Sequence, residues 1–202
     1  MKKSILLLIA AISFSLTQAQ VNFGAKAGVN FANATGSDAS GSSIRVSFNA
    51  GFLAQIPVSD ALSVQPEVVY SDQGAKVNFD NGTGGTESGA YKLGYINVPV
   101  LLKYTTSSGF FVQTGPQIGF LLSAKASANG VSVDEKSNFS STDFSWAFGL
   151  GYLTSANVGI DARYNLGLSN IEKTDQSNSG TVKNSVIQVG IFYLFGDRKS
   201  GK

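Results

Sequence analysis

The chain of 202 residues contains no cysteine and no histidine. Without cysteine it cannot form disulfides, thiol nucleophiles or zinc ribbons, and it cannot carry the lipidated cysteine of a bacterial lipoprotein. Without histidine, Ser-His-Asp and Cys-His catalysis and histidine-dependent zinc chemistry lose their central group. We therefore predict that the protein is not an enzyme, with no catalytic residues, no metal ligands and no cofactor.

Charged residues are also scarce, at 14% of the chain. Two of the 15 basic residues, Lys2 and Lys3, precede an apolar run from Ile5 to Ile12 and a Thr-Gln-Ala segment that ends at Ala19, the three-part pattern of a secretory signal. The run is shorter than the roughly 18 residues that span a bilayer as a helix. Cleavage after Ala19 would leave 13 basic residues against 13 acidic ones. With no basic cluster either, we expect no nucleic-acid partner.

After this signal, apolar residues alternate with polar or small residues, a pattern typical of β-strands. Around Trp146, for example, Phe144, Phe148 and Leu150 share one face, with serine, alanine and glycine opposite. The pattern predicts eight strands, at about 22–31, 45–56, 62–71, 91–104, 110–122, 143–153, 157–169 and 184–195. Within the fourth strand the alternation shifts phase, and we expect a bulge near Tyr95.

Three prolines fall within the predicted strands, namely Pro66, Pro99 and Pro116. Each removes a hydrogen-bond donor from the ladder, which counts against regular strands at those points unless bulges or strand ends absorb it.

The connections between these strands alternate in length. Four are long and rich in glycine, serine, asparagine and threonine: Asn33–Ser43, Asp72–Ala90, Ser123–Thr142 and Asn170–Lys183. Three are short turns: Pro57–Ala61, Thr105–Gly109 and Thr154–Asn157. An up-and-down barrel with two unlike ends requires this alternation, and by analogy with outer-membrane barrels the long loops face outside and the turns face the periplasm.

The two faces of the strands indicate which face is inside. The non-apolar face is dominated by glycine, serine, asparagine and alanine, which suits a narrow barrel interior. We therefore predict an all-β fold, an eight-stranded antiparallel up-and-down transmembrane β-barrel over residues 20–195, after a signal peptide at 1–19 and before a polar tail at 196–202. Its predicted location is the outer membrane of a Gram-negative cell. The alternation also fits a soluble sandwich or a lipocalin-like barrel, in which the apolar face points inward.

Two sets of residues are candidates for roles in such a barrel. Seven charged residues on the predicted inner face form a candidate lumenal network, because unpaired charges there would be costly: Lys26, Arg45, Glu67, Lys103, Asp143, Asp161 and Arg163. Nine aromatic residues near strand ends on the apolar face are candidates for contact with the lipid interfaces: Phe23, Phe31, Tyr70, Tyr104, Trp146, Tyr152, Tyr164, Tyr193 and Phe195.

The chain resembles the small outer-membrane β-barrel family of the Bacteroidota type, often labelled porin-family or PorT-like. The resemblance covers nearly all of the mature chain, and the segments that carry it are FGAKAGVNFAN (23–33), INVPVLLKY (96–104), TGPQIGFLL (114–122), DFSWAFGLGY (143–152), IDARYNLGLSNI (160–171) and VGIFYLF (189–195). The resemblance implies location and fold rather than an activity. It also implies insertion by the barrel assembly machinery. Such barrels commonly end at the terminal aromatic strand, whereas in this chain the polar tail 196–202 follows Phe195.

Three functions are compatible with these observations. The first is a structural or surface-interaction barrel with a side-chain-filled lumen, whose partners are outer-membrane lipid and an extracellular ligand bound through the long loops. The second is a narrow channel or small-molecule binder that uses the inner charges. The third is a soluble periplasmic lipocalin-like binder.

Overall fold

The computed structural model describes residues 21–80, 86–128, 130–173 and 180–196. The predicted signal peptide (1–19) and, apart from Gly196, the predicted tail (196–202) lie outside the described residues. Within the described part, no helix is both long enough and apolar enough to cross a membrane.

The described residues form nine antiparallel strands and one turn of 3-10 helix, Lys136–Asn138. The strands are β1 (Asn22–Thr35), β2 (Arg45–Pro57), β3 (Leu62–Asp80), β4 (Thr86–Thr105), β5 (Phe110–Ala128), β6 (Val131–Asp134), β7 (Thr142–Leu153), β8 (Val158–Gly167) and β9 (Lys183–Phe195). All except β6 join in a closed ring, in the order β1-β2-β3-β4-β5-β7-β8-β9 and back to β1. The predicted eight-stranded barrel is therefore confirmed, and β6 only extends the end of β5.

The two ends of the barrel differ as the connection lengths predicted. At one end, which we call the turn end, short connections at 58–61, 106–109 and 154–157 join the strands, and both ends of the barrel sequence lie there. These turns are tight: Gly109 has a φ of 94° and Asn157 a φ of 64°. At the opposite end, the loop end, the longer connections 36–44, 129–141 and 168–182 join neighbouring strands.

Two of the predicted loops are wrong in large part. In the segment predicted as the loop Asp72–Ala90, β3 and β4 stay paired as far as Asp80 and Thr86. In the segment predicted as the loop Ser123–Thr142, β5 continues to Ala128 and pairs with β6. The β3–β4 hairpin projects beyond β2, whose last pair with β3 is Asn49 with Ser71. Strands that project in this way have no continuous apolar surface to face, so their pairing leaves no period-two hydrophobic signal.

The strands run through all three prolines. The pairing of β2 with β3 is interrupted between the pair Leu53–Glu67 and the pair Ile56–Val64, where Pro66 lies, and it resumes in the same register. The pairing of β4 with β5 has a similar gap beside Pro99. Each missing ladder donor is thus absorbed by a short gap in the pairing rather than by the end of a strand.

The expected bulge is present, but it lies on the neighbouring strand. Gly94 pairs with Ser123 and Tyr95 pairs with Leu121, so the extra residue is Leu122 of β5. The phase of β4 does not change, because Leu93 and Tyr95 are both buried inside the barrel. The expectation that a bulge in β4 reconciles the two phases of its apolar residues is therefore wrong, since Leu93 and Tyr95 lie in an interior that is itself apolar at that level.

The polar face lies inside the barrel, and the apolar face lies outside. The side chains of Phe52 and Ile191 are 68% and 61% exposed, whereas those of Glu67 and Lys103 are 2% and 0% exposed. A soluble lipocalin-like barrel requires the opposite arrangement. An outward apolar wall around a closed hydrogen-bonded ring is the arrangement that a bilayer requires, because hydrocarbon offers no partner for backbone groups.

Candidate functional site

The interior is filled in layers, and the layer at the turn end is apolar. Phe111 and Phe192 pack edge to face, with ring centroids 5.9 Å apart, among Leu53, Leu153 and Leu194. Two glycines of the wall make room for these rings. A Cβ atom at Gly159 would lie 2.1 Å from Phe192 Cζ, and one at Gly151 would lie 2.4 Å from Phe111 Cζ. This cluster closes the lumen at the turn end.

The next layer is a buried network of ion pairs centred on Glu67. Arg163 donates to both carboxylate oxygens of Glu67, at 2.9 and 2.8 Å. Lys26 Nζ lies 3.4 Å from Glu67 and 3.3 Å from Asp161, and Arg163 Nη2 lies 3.5 Å from Asp161. The network joins β1, β3 and β8 across the barrel. Within it, each of the two buried carboxylates, Glu67 and Asp161, faces both Lys26 and Arg163.

Lys103 lies beside this network, but among the described residues it makes no direct ion pair with a carboxylate. Its Nζ donates to Gln65 Oε1 at 3.2 Å, and Gln65 Nε2 donates to Glu67 at 2.7 Å. The same Nζ lies 3.8 Å from the ring centroid of Phe111 and 4.7 Å from that of Phe192. The layer therefore holds three cations and two carboxylates, and the excess cation rests on aromatic faces.

Above the ion pairs, side-chain amides link the strands. Asn30 donates to Ser71 Oγ at 2.9 Å and to the carbonyl oxygen of Asp72 at 2.7 Å. Its own carbonyl oxygen accepts from Asn49 at 2.6 Å and from Gln188 at 3.0 Å. This layer ties β1, β2, β3 and β9 together through side-chain hydrogen bonds across the lumen.

At the loop end, the connections fold over the barrel and close it with a second apolar cluster. Phe139, Ile171 and Val182 come from the connections and pack on Leu93 and on the other wall residues of the cluster, Tyr95, Leu121 and Ala124. The backbone of Ile171 accepts from Ser140 N at 2.7 Å and donates to Val182 O at 2.8 Å. We call this arrangement the loop cap. The sequence pattern does not predict it, because its signal is three isolated apolar residues in polar loops.

A cavity of about 80 Å³ opens beside the loop cap. Its inner surface includes Leu93, Phe139 and Val182, and the carboxylates of Asp38 and Glu172 lie at its exposed rim. Loss of solvent contact, together with repulsion from Asp38, raises the pKa of Glu172 above its ordinary value. An apolar surface and two carboxylates thus lie side by side at the loop end.

The structure brings five of the seven candidate lumenal residues together and keeps two apart. Lys26, Glu67, Asp161 and Arg163 contact one another, and Lys103 reaches them through Gln65. Arg45 instead pairs with Asp72 at 2.6 Å near the loop end. Asp143 accepts from Asn184 at 2.8 Å and from Ser169 at 2.9 Å. The interior thus contains one extended charge network and two local sites.

The nine candidate interface aromatics lie on the outer wall at two levels. Five lie next to the turn end: Phe23, Tyr104, Tyr152, Tyr193 and Phe195. Among these, the rings of Tyr193 and Phe195 pack edge to face, with centroids 5.7 Å apart. The other four lie farther towards the loop end: Phe31, Tyr70, Trp146 and Tyr164. Tyr70 is half-buried against Phe48, at 5.6 Å between ring centroids, and Trp146 Nε1 donates to Thr114 Oγ1 at 2.8 Å.

The partner of Arg45 could not be found from the pattern. Asp72 stands in a segment predicted as a loop, and it meets Arg45 where the pairing of β2 with β3 is interrupted, between Ser71 and the bridge that joins Lys76 to Ser43. The amide layer, by contrast, has a sequence signal. Asn30, Asn49 and Gln188 occupy inward positions of the same alternation that identified the charged residues.

Several solved structures of known proteins are similar to this chain. Neisserial surface protein A has a crystal structure that covers 86% of this chain and 98% of its own, with a TM-score of 0.55 at 16% identity. Ail, the attachment invasion locus protein of Yersinia pestis, covers 87% and 99% with a TM-score of 0.48 at 17% identity. OprG from Pseudomonas aeruginosa covers 88% and 97% with a TM-score of 0.46 at 13% identity.

No curated protein sequence matches the chain. The family model described as outer membrane protein beta-barrel domain, however, matches residues 15–173. That match spans well over half of the sequence, and it includes the residues of the ion-pair network and the first seven strands of the ring. The protein therefore belongs to the outer membrane protein beta-barrel domain family.

Proposed function

We propose that this outer-membrane barrel is a closed scaffold that conducts no solute and presents its loop end as an interaction surface. The observation that carries the proposal is the complete layering of the interior between the two apolar clusters. Glu67 and Arg163 are each 2% exposed although they carry charge. An eight-stranded barrel leaves room for little more than its own side chains, and here ion pairs and side-chain hydrogen bonds link many of them across the lumen.

The absence of conduction is tested by recording from planar bilayers that contain the purified, refolded protein. We expect no channel steps from the wild type. We also expect none from the double variant Phe139→Ala/Ile171→Ala, because the ion pairs and amides below the loop cap remain in place. A steady current from the wild type that changes in Lys26→Ala would contradict the proposal and favour a narrow channel.

The exposure of the loop end is tested by single cysteines, since the chain has none of its own. Ser40 lies exposed in the β1–β2 connection at the loop end, and Ser107 lies exposed in the β4–β5 turn. A membrane-impermeant maleimide should label Ser40→Cys in intact cells and label Ser107→Cys only after the outer membrane is permeabilised. The opposite pattern would place the turns outside and refute the assignment of the loops as the interaction surface.

The interaction role itself is tested by replacing residues 37–42 with a glycine-serine segment of equal length. Cells that display the wild type are compared with cells that display this variant for attachment to immobilised polysaccharides and matrix proteins. Lys103→Met, which changes the interior without altering the loops, is the matched control. We expect the loop replacement to abolish attachment and the control to retain it. Attachment that survives the loop replacement would count against the proposal.

We also infer the route by which the protein reaches the membrane. The pattern of Lys2 and Lys3, apolar run and Ala19 supports export with cleavage after Ala19, followed by insertion through the barrel assembly machinery. The segments INVPVLLKY and DFSWAFGLGY support a PorT-like barrel of the Bacteroidota type. Intact-mass measurement of the membrane-bound protein should give a chain that begins at Gln20. A retained residue 1–19 segment would refute the cleavage.

The outward aromatics support a further part of the same assignment. Two levels of aromatic side chains on the outer wall suit contact with the two lipid interfaces, where amphipathic rings are favoured. Brominated lipids with the bromine at a known depth should therefore quench Trp146 most strongly near the interface. Strongest quenching at the bilayer centre would contradict its place in an interfacial belt.

A further inference from the structure

Three lysines lie side by side on the outer face of the barrel near its loop end. Lys92 of β4 stands directly opposite Lys125 of β5. Lys76 of β3 lies diagonal to Lys92, because the partner of Lys92 on β3 is Gly74. All three lysines are exposed, and they are far apart in the sequence, so only strand pairing brings them together. Like charges directly opposite each other destabilise a sheet, and an anion bound between them would remove that cost.

Two carboxylates lie near these lysines without pairing with them. Asp72 pairs with Arg45 at 2.6 Å. Asp134 stands opposite Lys125 on β6, but its Oδ1 accepts from the backbone nitrogen of Lys136 at 2.9 Å. Within the described part of the chain, none of the three lysines forms an ion pair. The patch therefore carries positive charge that its described neighbours do not balance.

Two hydroxyl groups converge next to Lys92, over a glycine. A Cβ atom at Gly94 would lie 2.8 Å from Ser123 Oγ and 3.1 Å from the hydroxyl oxygen of Tyr70, so the lack of a side chain lets both hydroxyls approach this point. Neither hydroxyl has a hydrogen-bond partner among the described residues, and each can therefore donate to an anion. We call this group of side chains the lysine niche: Lys76, Lys92, Lys125, Tyr70 and Ser123.

The niche lies just above the part of the wall that faces hydrocarbon. The outward side chains of β4 are apolar or aromatic over Tyr104, Leu102, Val100, Val98 and Ile96. Lys92 follows on the same face, four residues beyond Ile96, or roughly 10 Å higher for a strand that rises about 3.3 Å per residue at a tilt of about 40°. Headgroups occupy about 5–8 Å on each side of the hydrocarbon core, and a lysine can bend its ammonium group back towards them. The niche is therefore continuous with the lipid-facing wall and within reach of lipid headgroups.

We propose that the lysine niche binds the phosphate group of an anionic membrane lipid, whose acyl chains lie against the apolar wall below it. Ammonium and hydroxyl groups both donate to phosphate oxygens, and hydrogen bonds to a charged acceptor are among the strongest that proteins form. A lipid fits better than a soluble anion, because the wall next to the niche also holds the chains of the lipid. The proposal concerns the outer wall and goes beyond the role of the loop end as an interaction surface.

The test places a tryptophan beside the niche and measures its quenching by brominated lipids. The reporter is Trp146→Phe/Leu122→Trp, in which the single tryptophan is moved to the exposed bulge residue of β5, three residues from Lys125. The full chain is reconstituted in phosphatidylcholine bilayers with rising fractions of brominated phosphatidic acid. Each lysine near a charged membrane surface contributes roughly a fivefold preference, so we expect this reporter to favour phosphatidic acid by more than about tenfold. Equal association of the two lipids would overturn the proposal.

A second reporter measures the general attraction between a lysine and an anionic lipid. Trp146→Phe/Ile187→Trp places the tryptophan on β9 near Lys183, an outward lysine whose strand partner carries no charge. Lys183 stands as far from Ile187 along β9 as Lys92 stands from Ile96 along β4, and both isoleucines pair with tyrosines of the same aromatic level. We expect a preference of about fivefold at most, as for one lysine. An equal preference at the two reporters would overturn the proposal.

Variants of the first reporter locate the site. Lys92→Gln/Lys125→Gln leaves Lys76 alone and should lower the preference to that measured beside Lys183. Tyr70→Phe removes one hydroxyl donor and should lower the preference about threefold, whereas Lys183→Gln should leave it unchanged. Unchanged preference in both niche variants would overturn the proposal. Heat-modifiable gel mobility checks that each protein is folded, and if one niche variant does not fold, the other niche variant and the comparison of the two reporters still decide.

Inorganic phosphate distinguishes a lipid from a soluble anion. Added in excess at constant ionic strength, it should leave the preference for phosphatidic acid unchanged, because the lipid is held by its chains as well as by its headgroup. Loss of the preference would mean that the niche holds soluble phosphate and would overturn the lipid as its occupant. The measurement in symmetric bilayers does not depend on which end of the barrel faces outward. Reversed labelling of Ser40→Cys and Ser107→Cys would therefore refute the surface role and retain the lipid site, and labelled loops without a lipid preference would do the reverse.

Discussion

Replacing Glu67 by glutamine is the most direct test of how the interior is held together. The substitution keeps the shape of the side chain and removes one of the two carboxylates in a layer that holds three cations. The amide nitrogen of glutamine would also point a donor at Arg163 or Lys26, which are donors themselves. Arg163, Lys26 and Lys103 would then share Asp161 as the one remaining carboxylate of the network.

The expected loss follows from this geometry. Arg163 donates to Glu67 through two bonds of 2.9 and 2.8 Å, and both residues are 2% exposed, so water does not take over the lost contacts. Removing one partner of a buried pair costs about 3–5 kcal/mol, because the other charge stays buried. We expect Glu67→Gln to lower the free energy of unfolding by that amount.

Lys103→Met provides the matched comparison, since it removes the excess cation of the same layer. Its apolar side chain would pack against Phe111 and Phe192, and the charge of the layer would fall from +1 to zero. We expect a change of about 1 kcal/mol or less. In the double variant, the loss caused by Glu67→Gln should shrink by about 1–2 kcal/mol, because the layer then holds two cations and one carboxylate.

The free energy is measured by urea unfolding of the protein in lipid vesicles or micelles. Trp146 is the single tryptophan of the chain and lies on the outer wall, so its fluorescence reports the transfer of β7 from lipid to water. If Glu67→Gln unfolds within about 1 kcal/mol of the wild type, the network does not stabilise the barrel as argued. The reasoning also fails if Lys103→Met is as damaging as Glu67→Gln.

Three other substitutions test the remaining layers, the first of them by the same unfolding measurement. Gly159→Ala should lower the free energy of unfolding by about 1–3 kcal/mol, because its Cβ would overlap the Phe192 ring. Phe192→Leu in the same chain should recover most of this loss, and no recovery would contradict the packing. Ile171→Ala should open the loop cap, so that limited proteolysis cuts the β8–β9 connection while the heat-modifiable mobility of the barrel persists; unchanged cleavage would contradict it. Trp146→Phe, followed by circular dichroism because it removes the fluorescent reporter, should cost on the order of 1 kcal/mol by removing the hydrogen bond to Thr114, and Thr114→Val should add little in that background.

The fold was largely predictable because the lipid imposes one rule on the whole outer wall. Each strand that faces hydrocarbon must alternate, and β7 and β9 do so over nearly their full length. The strand ends beyond the barrel were not predictable, since the projecting part of the β3–β4 hairpin faces neither lipid nor a core. The location of the bulge was predicted near Tyr95, but the strand that carries it was not, because a change in register belongs to two strands.

The interior was predictable only in part. That Lys26, Glu67 and Arg163 face inward follows from their positions in the alternation, but which of them meet depends on the relative shift of strands that lie far apart in the sequence. Lys26 and Asp161 are 135 residues apart and meet at 3.3 Å. The loop cap was missed for a related reason: Phe139 and Ile171 are isolated in polar connections, and nothing local indicates that both fold over the same opening.

The charges inside the barrel and the apolar wall outside both favour the observed register of the strands. The side-chain period of a strand is two, so a slip of β8 by one residue against β9 would turn Asp161 and Arg163 towards lipid and Ile160 towards the interior. A charge on the lipid face costs about 2–4 kcal/mol at the middle of the bilayer. The slip would also leave Glu67 without the arginine that donates to both of its oxygens. The correct register is therefore favoured from both faces of the same strand, and the network that fills the lumen also selects the pairing that builds the wall.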